Sequence, residues 1–269
     1  NSRRDSGVCD IVIKFYSFSI SSYCVMMFKE EQRGGTRRYV AVKIAEIYRS
    51  IQGEGSLTGT ESVFVRSSGC NLRCWFCDTP YTSWNPIGED ISVNEIMSRL
   101  SQWDSQHVVL TGGEPMLFAE MLPLCDRLRA ENYHITIETA GTLYLPLHCD
   151  LMSISPKTAN SAPDIHEHPH WYQRHQRTRF APNVIRQLLE DHQCQVKFVI
   201  DSEDDLDEVS AYIKQFPELS LQQIYLMPQG TEPEELAARE DWLKPYCEQK
   251  GYHFCPRRQI EWFGCVQGT

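Results

Sequence analysis

The sequence predicts an α/β protein in which mostly parallel strands curl into a partial (β/α) barrel. Short runs of β-branched and apolar residues alternate with stretches of helical periodicity from about Tyr39 to the C terminus, and this alternation is typical of a parallel sheet covered by helices. The most polar motifs follow directly on predicted strands, where parallel α/β folds place their chemistry. A chain of 269 residues is long enough for one such domain with a substantial core.

The predicted strands are runs dominated by Val, Ile, Leu, Thr and aromatic residues. They are Tyr39–Tyr48, Ser62–Ser67, His107–Thr111, His134–Thr139, Leu151–Ser155, Gln195–Ile200 and Ile224–Met227. The predicted helices are Val93–Trp103, Met121–Asn132, Val184–His192, Asp204–Gln215 and Pro233–Lys250. Two helix starts are marked by Ser92 and Ser202, because each serine can cap a helix whose first turn carries acidic residues.

Composition narrows the class of function. The chain carries 26 basic and 36 acidic side chains, a net charge of −10, so a general nucleic-acid binder is not expected. Three of its eleven cysteines crowd into eight residues, which indicates one metal site and otherwise inert thiols in a reducing, cytoplasmic compartment. The thiols expected to be buried are Cys125, Cys149, Cys194, Cys247 and Cys255.

Residues 1–39 are predicted to be an N-terminal extension with little structure, and residues 40–269 to be the functional domain. The run Ile11–Phe28 is too polar to span a membrane, and Met26–Met27 precedes a plausible start of the domain. A targeting segment is the alternative interpretation, although no alanine precedes Ala41 to form a small-residue cleavage site. No membrane partner is expected.

The strongest chemical signal is a group of three closely spaced cysteines after a predicted strand, namely Cys70, Cys74 and Cys77. Three thiolates at this spacing suit a 4Fe–4S cluster whose fourth iron is open, because thiolates are the usual protein ligands of such clusters. A structural zinc site with a distant fourth ligand is the alternative, but no further cysteine or histidine follows at zinc-finger spacing.

This C-x3-C-x2-C pattern, with Phe76 before the last cysteine, resembles the signature of radical S-adenosylmethionine (SAM) enzymes. The segment 111–115 (Thr-Gly-Gly-Glu-Pro) follows the next strand and resembles the GGE motif of that superfamily, which meets the methionine amino group of the cofactor. The resemblance implies that the open iron chelates SAM and that a reduced cluster cleaves it to a 5′-deoxyadenosyl radical. It also implies an abbreviated barrel of the radical SAM type.

Further segments resemble the 7-carboxy-7-deazaguanine synthase family of this superfamily. They are residues 47–55, 77–81, 137–142 and 155–157, and they stand in the family's order. The resemblance implies the substrate 6-carboxy-5,6,7,8-tetrahydropterin and a radical ring contraction with loss of ammonia, in queuosine and deazapurine biosynthesis. It also implies a Mg²⁺ ion, a homodimer and an electron donor such as flavodoxin.

The same resemblance assigns roles to individual residues. Substrate contacts are implied for Ile51, Gln52, Gly53, Glu54, Arg66, Thr111 and Gln259. SAM contacts are implied for Phe76, Cys77, Asp78, Gly113, Glu114, Glu138, Ser155, Pro156, Lys157 and Gln229. The implied metal ligands are Cys70, Cys74 and Cys77 for the cluster and Thr79 for Mg²⁺. Arg66 suits a carboxylate because its planar guanidinium can bind an acid through two hydrogen bonds, and Thr79 offers the hard oxygen that Mg²⁺ prefers.

The sequence departs from the family pattern near its end and in one inserted stretch. Gln259 stands where the family has histidine, and Cys265 stands where it has asparagine. A glutamine amide keeps the hydrogen bonding of imidazole but cannot carry a proton. Residues 160–183 are predicted to form a solvated inserted loop, and the histidines between 166 and 175 leave a second metal site or a lid as the alternative.

Two functions from other classes stay open. One is a radical SAM enzyme that activates another enzyme by forming a glycyl radical, but such an enzyme has no reason to carry the Gln52–Gly55 segment or the Asp78–Thr79 pair. The other is a non-enzymatic binding module stabilised by zinc. Metal content distinguishes the two site types, because a 4Fe–4S site holds about four irons and a structural site about one zinc.

Overall fold

An open, nine-stranded sheet forms the centre of the protein. The computed structural model describes residues 41–268, so the predicted extension, residues 1–39, lies outside the described residues. The strands are β1 Ala41–Ile51, β2 Glu61–Ser67, β3 Glu89–Ser92, β4 His107–Gly112, β5 His134–Thr139, β6 Leu151–Ile154, β7 Cys194–Ile200, β8 Ile224–Pro228 and β9 His253–Phe254. Their order across the sheet is β3-β1-β2-β4-β5-β6-β7-β8-β9.

Strand direction divides the sheet into two parts. Every pairing from β2 to β9 is parallel, whereas β1 runs antiparallel to both β2 and β3. The two ends of the sheet do not pair with each other, so the predicted partial barrel with mostly parallel strands is confirmed as an open sheet. The C-terminal ends of the parallel strands consequently meet at one edge.

Residues 41–268 contain eight α-helices, of which seven lie between strands and the last follows β9. They are α1 Pro80–Ser83, α2 Val93–Leu100, α3 Met121–Ala130, α4 Pro169–Thr178, α5 Pro182–Asp191, α6 Asp205–Ile213, α7 Pro233–Lys250 and α8 Arg258–Phe263. Short 3-10 turns occupy Gly55–Leu57, Pro115–Leu117, Ala159–Ser161 and Leu221–Gln223. No helix in this range is long and apolar enough to cross a lipid bilayer.

The two predicted helix starts have different outcomes. The Ser92 side chain accepts a hydrogen bond from the Glu95 amide at 3.2 Å, which confirms the predicted cap of α2. The expected cap by Ser202 is wrong, because α6 begins at Asp205. The Asp205 carboxylate accepts hydrogen bonds from the amides of Asp201 and Ser202 at 2.8 and 3.0 Å. A carboxylate is a stronger acceptor for amide protons than a hydroxyl group.

The parallel strands present an apolar face and a polar face. On β7, Val196 and Phe198 are buried in the hydrophobic core, whereas the alternate residues Gln195 and Lys197 are buried polar side chains. Successive side chains of a strand point to opposite faces, so one face of the sheet packs on helices and the other collects polar groups. This second face carries the functional side chains described below.

All seven predicted strands are present, but several short elements have no counterpart in the prediction. Strands β3 and β9 contain only four and two residues, and helices α1 and α8 only four and six. Periodicity cannot be recognised in segments of this length. Strand β1 extends to Ile51, three residues beyond its predicted end at Tyr48, because it pairs with β2 as far as Glu61.

The predicted inserted loop, residues 160–183, contains the whole of α4 and the start of α5. Helix α4 is polar on most of its surface, and His175 is its buried residue. Because the one buried residue of α4 is a histidine, the sequence of this segment has no apolar periodicity. The helix was therefore not predicted. The interpretation of the range as an insertion stays a prediction.

Among residues 41–268, most of the thiols outside the cysteine motif lie in the core, as predicted. Cys125, Cys194, Cys247 and Cys255 are buried, and Cys149 is half-buried. Burial raises the pKa of Cys125, Cys194 and Cys247 to about 12. These side chains are therefore neutral thiols at physiological pH, as expected for inert cysteines.

The central strand β4 gives a direct test of how the core is built. Leu110 on β4 is fully buried, whereas Leu221 is 51% exposed. Leu110→Ala is expected to lower the free energy of unfolding by about 2–5 kcal/mol, because it leaves a cavity in the core. Leu221→Ala is the matched control and is expected to change it by less than about 0.5 kcal/mol. Urea unfolding of both variants measures the difference, and equal losses would contradict this assignment of the core.

Candidate active site

A cavity of about 560 Å³ lies at the C-terminal edge of the sheet. Of the residues predicted to bind substrate, SAM or metal, all but two line it. Those lining it are Ile51, Gln52, Gly53, Glu54, Arg66, Cys70, Cys74, Phe76, Cys77, Asp78, Thr79, Thr111, Gly113, Glu138, Ser155, Lys157, Gln229 and Gln259. Ile51 and Gln259, which are 208 positions apart in the sequence, therefore line the same cavity.

The three cysteines of the motif occupy the loop between β2 and α1. Cys70, Cys74 and Cys77 all line the cavity, and each is a free thiol. The Cys70 sulfur accepts a hydrogen bond from the Leu72 amide at 3.4 Å, and the Cys77 sulfur lies 3.2 Å from the Ser83 hydroxyl. Local contacts thus hold two of the three sulfur atoms, and all three cysteines line the same cavity.

This donor set fits an iron–sulfur cluster better than a single ion. Within residues 41–268, no three His, Cys, Asp or Glu side chains converge closely enough to hold one metal ion. A 4Fe–4S cluster needs no such convergence, because each cysteine ligates a different iron. Burial raises the pKa of Cys70 and Cys74 to about 12. Both sulfurs consequently become thiolates only when a positively charged metal centre replaces their protons.

Two glycines bring the end of β4 against the cysteine loop. Gly112 adopts a φ of +137°, and a Cβ atom there would lie 2.1 Å from the Ser67 carbonyl oxygen. A Cβ atom on Gly113 would lie 2.2 Å from the Gly69 carbonyl oxygen. The Gly113 amide donates to Ser67 at 3.1 Å. Only glycine permits this approach, so the Gly112–Gly113 pair fixes the distance between the two loops.

Glu114 and Pro156 are the two predicted cofactor contacts that do not line the cavity. Glu114 is fully buried, and its carboxylate accepts hydrogen bonds from the Met116 and Ala140 amides at 3.0 and 2.9 Å. The Thr139 hydroxyl also donates to it at 2.8 Å. These hydrogen bonds lower the pKa of Glu114, but burial has the larger effect and raises it. In this structure the Glu114 side chain joins the end of β4 to the end of β5.

A buried ammonium group lies between two predicted ligand residues. Lys197 Nζ lies 3.0 Å from a Glu54 oxygen and 3.3 Å from a Glu138 oxygen, and the Lys197 side chain is 4% exposed. Burial alone lowers the pKa of Lys197, but the two carboxylates outweigh it and raise the pKa above its usual range. Lys197 therefore stays charged and connects β7 with β5 and with the loop after β1.

Glu54 is the acidic centre of this part of the cavity. Arg257 contacts Glu54 at 3.4 Å and also forms an ion pair with Asp78. The Gln259 amide donates to Glu54 at 2.6 Å. Burial raises the pKa of Glu54, but Lys197 and Arg257 outweigh it and bring the pKa down to about 2. Glu54 is accordingly an ionised hydrogen-bond acceptor at every physiological pH.

Gln259 reaches the substrate-binding loop that the sequence predicted. A Cβ atom on Gly53 would lie 2.4 Å from the Gln259 backbone nitrogen, so helix α8 contacts Gly53 directly. The Oε1 atom of Gln259 is buried and has no hydrogen-bond partner among residues 41–268. Gln259 is thus held through its amide group by Glu54, and its Oε1 atom packs against Gly53.

Arg66 lies on β2 in a cluster of polar residues that the sequence analysis did not identify. Its Nε atom donates to Glu46 at 2.6 Å and its Nη2 atom to the Tyr48 hydroxyl at 2.7 Å. The Tyr81 hydroxyl also donates to Glu46 at 2.7 Å. Glu46, Tyr48 and Tyr81 all line the cavity. These contacts hold the Arg66 guanidinium at a fixed place on the cavity wall.

The remaining residues missed by the sequence analysis are Lys197 and Arg257. Lys197 could have been predicted from the alternation of β7. Gln195 and Lys197 alternate there with apolar residues and so occupy the face that carries Glu138. Arg257 follows β9, a strand too short to predict, and its approach to Asp78 depends on tertiary structure. Cys265, the second departure from the family pattern, also lines the cavity.

Comparisons with known proteins agree with this geometry. The model of the Radical SAM superfamily matches residues 64–188. The chain is 47% identical over 227 residues to the 7-carboxy-7-deazaguanine synthase of Rhodopirellula baltica, which covers 84% of this chain and 88% of that protein. It is 40% identical over 230 residues to the same-named protein of Halobacterium salinarum, with 82% and 90% covered.

A solved structure shows that the fold is shared. QueE from Escherichia coli superimposes with a TM-score of 0.60 at 19% identity, over 80% of this chain and 93% of that one. The interpretation of the chain as a zinc-stabilised binding module is wrong, because the chain matches the Radical SAM superfamily and its relatives are named as 7-carboxy-7-deazaguanine synthases. The chain belongs to the 7-carboxy-7-deazaguanine synthase family of radical SAM enzymes.

Proposed function

We propose that the protein converts 6-carboxy-5,6,7,8-tetrahydropterin into 7-carboxy-7-deazaguanine with loss of ammonia. The observation that supports this most is the meeting of two loops at one cavity. The cysteine loop supplies Cys70, Cys74 and Cys77, and the loop after β1 supplies Gln52 and Glu54. A cofactor held by the first loop would therefore face a substrate held by the second.

Radical SAM enzymes use a 4Fe–4S cluster and SAM. When bound, this pair supplies a carbon-centred radical that removes a hydrogen atom from the substrate. We assign the cluster to Cys70, Cys74 and Cys77. We assign SAM to the side of the cavity formed by Phe76, Asp78, Gly113, Ser155, Lys157 and Gln229. Glu114 and Pro156 would act on this subsite through the backbone that they position.

The other side of the cavity suits a carboxylated pterin. Arg66 would bind the substrate carboxylate, because a guanidinium held by Glu46 and Tyr48 is already oriented for a planar anion. Ionised Glu54 would accept hydrogen bonds from N–H groups of the pterin, and Gln259 would position Glu54 through its amide hydrogen bond. Lys197 lowers the pKa of Glu54 and forms an ion pair with Glu138, so it would hold both side chains in place while the substrate excludes water from the site.

Thr79 is the residue that we assign to Mg²⁺. Its hydroxyl oxygen lines the cavity beside the cluster loop, 3.8 Å from the Cys77 sulfur and 3.3 Å from the Thr82 hydroxyl. One protein oxygen would leave the ion to complete its octahedron with substrate oxygens and waters, as Mg²⁺ commonly does. The proposal also includes a homodimer, and a one-electron donor such as flavodoxin.

The proposed reaction is tested by an anaerobic assay of the reconstituted protein with SAM, a reductant and 6-carboxy-5,6,7,8-tetrahydropterin. We expect 7-carboxy-7-deazaguanine and ammonia to form in equal amounts, each detected directly by chromatography and mass measurement. SAM cleavage that is uncoupled from the pterin, with no deazaguanine formed, would contradict the proposal and favour an activating enzyme that acts on a protein.

Removing one cluster ligand should abolish the chemistry. Cys77→Ala is expected to lose the brown chromophore and all SAM cleavage, because two thiolates cannot hold the cluster in place. Cys149→Ala is the matched control, since Cys149 is a half-buried thiol outside the cavity. Iron analysis and the visible spectrum measure the outcome, with about four irons per chain expected in the control. Retention of iron and activity by Cys77→Ala would show that the cluster assignment is wrong.

Replacing Thr79 tests the magnesium assignment separately from the cluster. Thr79→Ala removes one oxygen, and Mg²⁺ tolerates a poor octahedron badly. This variant should still contain the cluster and bind SAM, yet turn over slowly and need about tenfold more Mg²⁺ for half-maximal rate, a usual scale for a lost contact at a metal site. Thr79→Ser retains the oxygen and should be milder. The turnover rates of the parent and both variants are measured across a Mg²⁺ titration. Identical curves for the three proteins would show that Thr79 does not bind Mg²⁺.

A further inference from the structure

Helix α4 and the turn before it contact the back of the cysteine loop, away from the cavity. His175 on α4 is fully buried and does not line the cavity. Its Nδ1 atom accepts a hydrogen bond from the Arg73 amide at 3.2 Å. Its Nε2 atom lies 2.9 Å from the Ser161 hydroxyl oxygen. Arg73 directly precedes Cys74, so the imidazole holds the backbone next to a cluster ligand.

The hydrogen bonds around His175 specify one tautomer. The Ser161 hydroxyl donates to the Thr158 carbonyl oxygen at 2.6 Å, so its oxygen accepts from His175. The proton of the imidazole therefore resides on Nε2, and the lone pair of Nδ1 receives the Arg73 amide. Burial lowers the pKa of His175 to about 4. The ring is neutral at physiological pH and keeps this acceptor available.

Residues of α4 and of the turn Ala159–Ser161 also contact the residues on both sides of Cys74. The Arg73 guanidinium lies 4.0 Å from the ring centroid of Trp171 on α4. On the other side of Cys74, the Trp75 amide donates to the Ser161 carbonyl at 3.2 Å, and the Trp75 indole donates to the Asn160 carbonyl at 2.6 Å. The backbone that carries the Cys74 sulfur is thus fixed from outside the motif.

We propose that His175 is a positioning residue that sets the place of Cys74 by accepting the Arg73 amide. This inference rests on the cluster assignment of the proposed function and extends it to a residue outside the cavity. Arg73 is 8% exposed, so an amide without its acceptor would be buried and unsatisfied, and the loop would shift to reach water. Groups that orient metal ligands from behind strongly affect metal retention.

The test compares three variants of the reconstituted holoenzyme under anaerobic conditions. His175→Leu removes the acceptor, and His175→Asn places an amide oxygen near the position of Nδ1. His192→Leu is the control, because His192 is a partly buried histidine that contacts Cys149 instead of the cluster loop. The rate of iron loss to a chelator is followed by visible absorbance. We expect His175→Leu to lose iron about 10–100-fold faster than the parent. His175→Asn and the control should stay near the parent rate.

A second measurement reads the hydrogen bond itself and needs no turnover. Hydrogen–deuterium exchange of the Arg73 amide, resolved by fragmentation, should be faster in His175→Leu than in the parent and be restored in His175→Asn. The spectrum of the reduced cluster with SAM should change in His175→Leu alone. Equal iron loss and equal Arg73 exchange in His175→Leu and the parent would overturn the proposal, as would an Asn variant that behaves like Leu.

If His175→Leu does not fold, Ser161→Ala replaces it. This variant deletes the hydroxyl that accepts from Nε2 and so releases the tautomer, and faster Arg73 exchange with faster iron loss is again the expected result. Parent-like values of both quantities in Ser161→Ala would overturn the proposal in that case. Failure of the proposed reaction is recognised independently, because the parent would then retain its cluster and the His175 effects without making deazaguanine.

Discussion

Parallel pairing is the constraint on which the rest of this structure depends. Across the sheet from β2 to β9 every pairing is parallel, so these strands end at the same edge. Because successive side chains of a strand point to opposite faces of the sheet, alternate residues face the helices and the cavity. The cysteine loop, the Gly112–Gly113 pair and the Lys197 ammonium meet there as a consequence of one hydrogen-bonding pattern.

The polar face creates an electrostatic problem that the protein solves by pairing. Lys197 is nearly inaccessible to water, and a lone ammonium in that position would lose its proton. Ion pairs with Glu54 and Glu138 keep Lys197 protonated, and Glu54 also contacts Arg257. Removing a single member of this group would leave a buried charge without its partner. Charges that position ligands and charges that stabilise the native state are therefore the same side chains.

Sequence reasoning recovered the parts of the molecule that depend on local pattern. The long strands, the cysteine motif and nearly all predicted cavity residues were found, because each follows from periodicity or from a motif at a strand end. Glu46, Arg257 and His175 were not found, because their roles come from contacts across 20 or more residues that no local pattern records. The predicted cap of α6 was wrong for a related reason. Ser202 and Asp205 both offer acceptors near the start of this helix, and the local sequence does not show which of them is used.

The open sheet has a consequence for self-association. A sheet that does not close leaves two edge strands whose backbone groups could pair with another chain. Here one edge strand is β3, four residues long and beginning with Glu89 and Asp90, and the other is β9, with two residues. Strand β3 pairs with β1 only over Ala41–Ile44, so the outer edge of β1 from Ala45 to Ile51 has no strand partner among residues 41–268. The short, acidic β3 disfavours edge-to-edge addition where it covers β1, whereas the outer edge of β1 beyond Ile44 offers its backbone groups to an added strand.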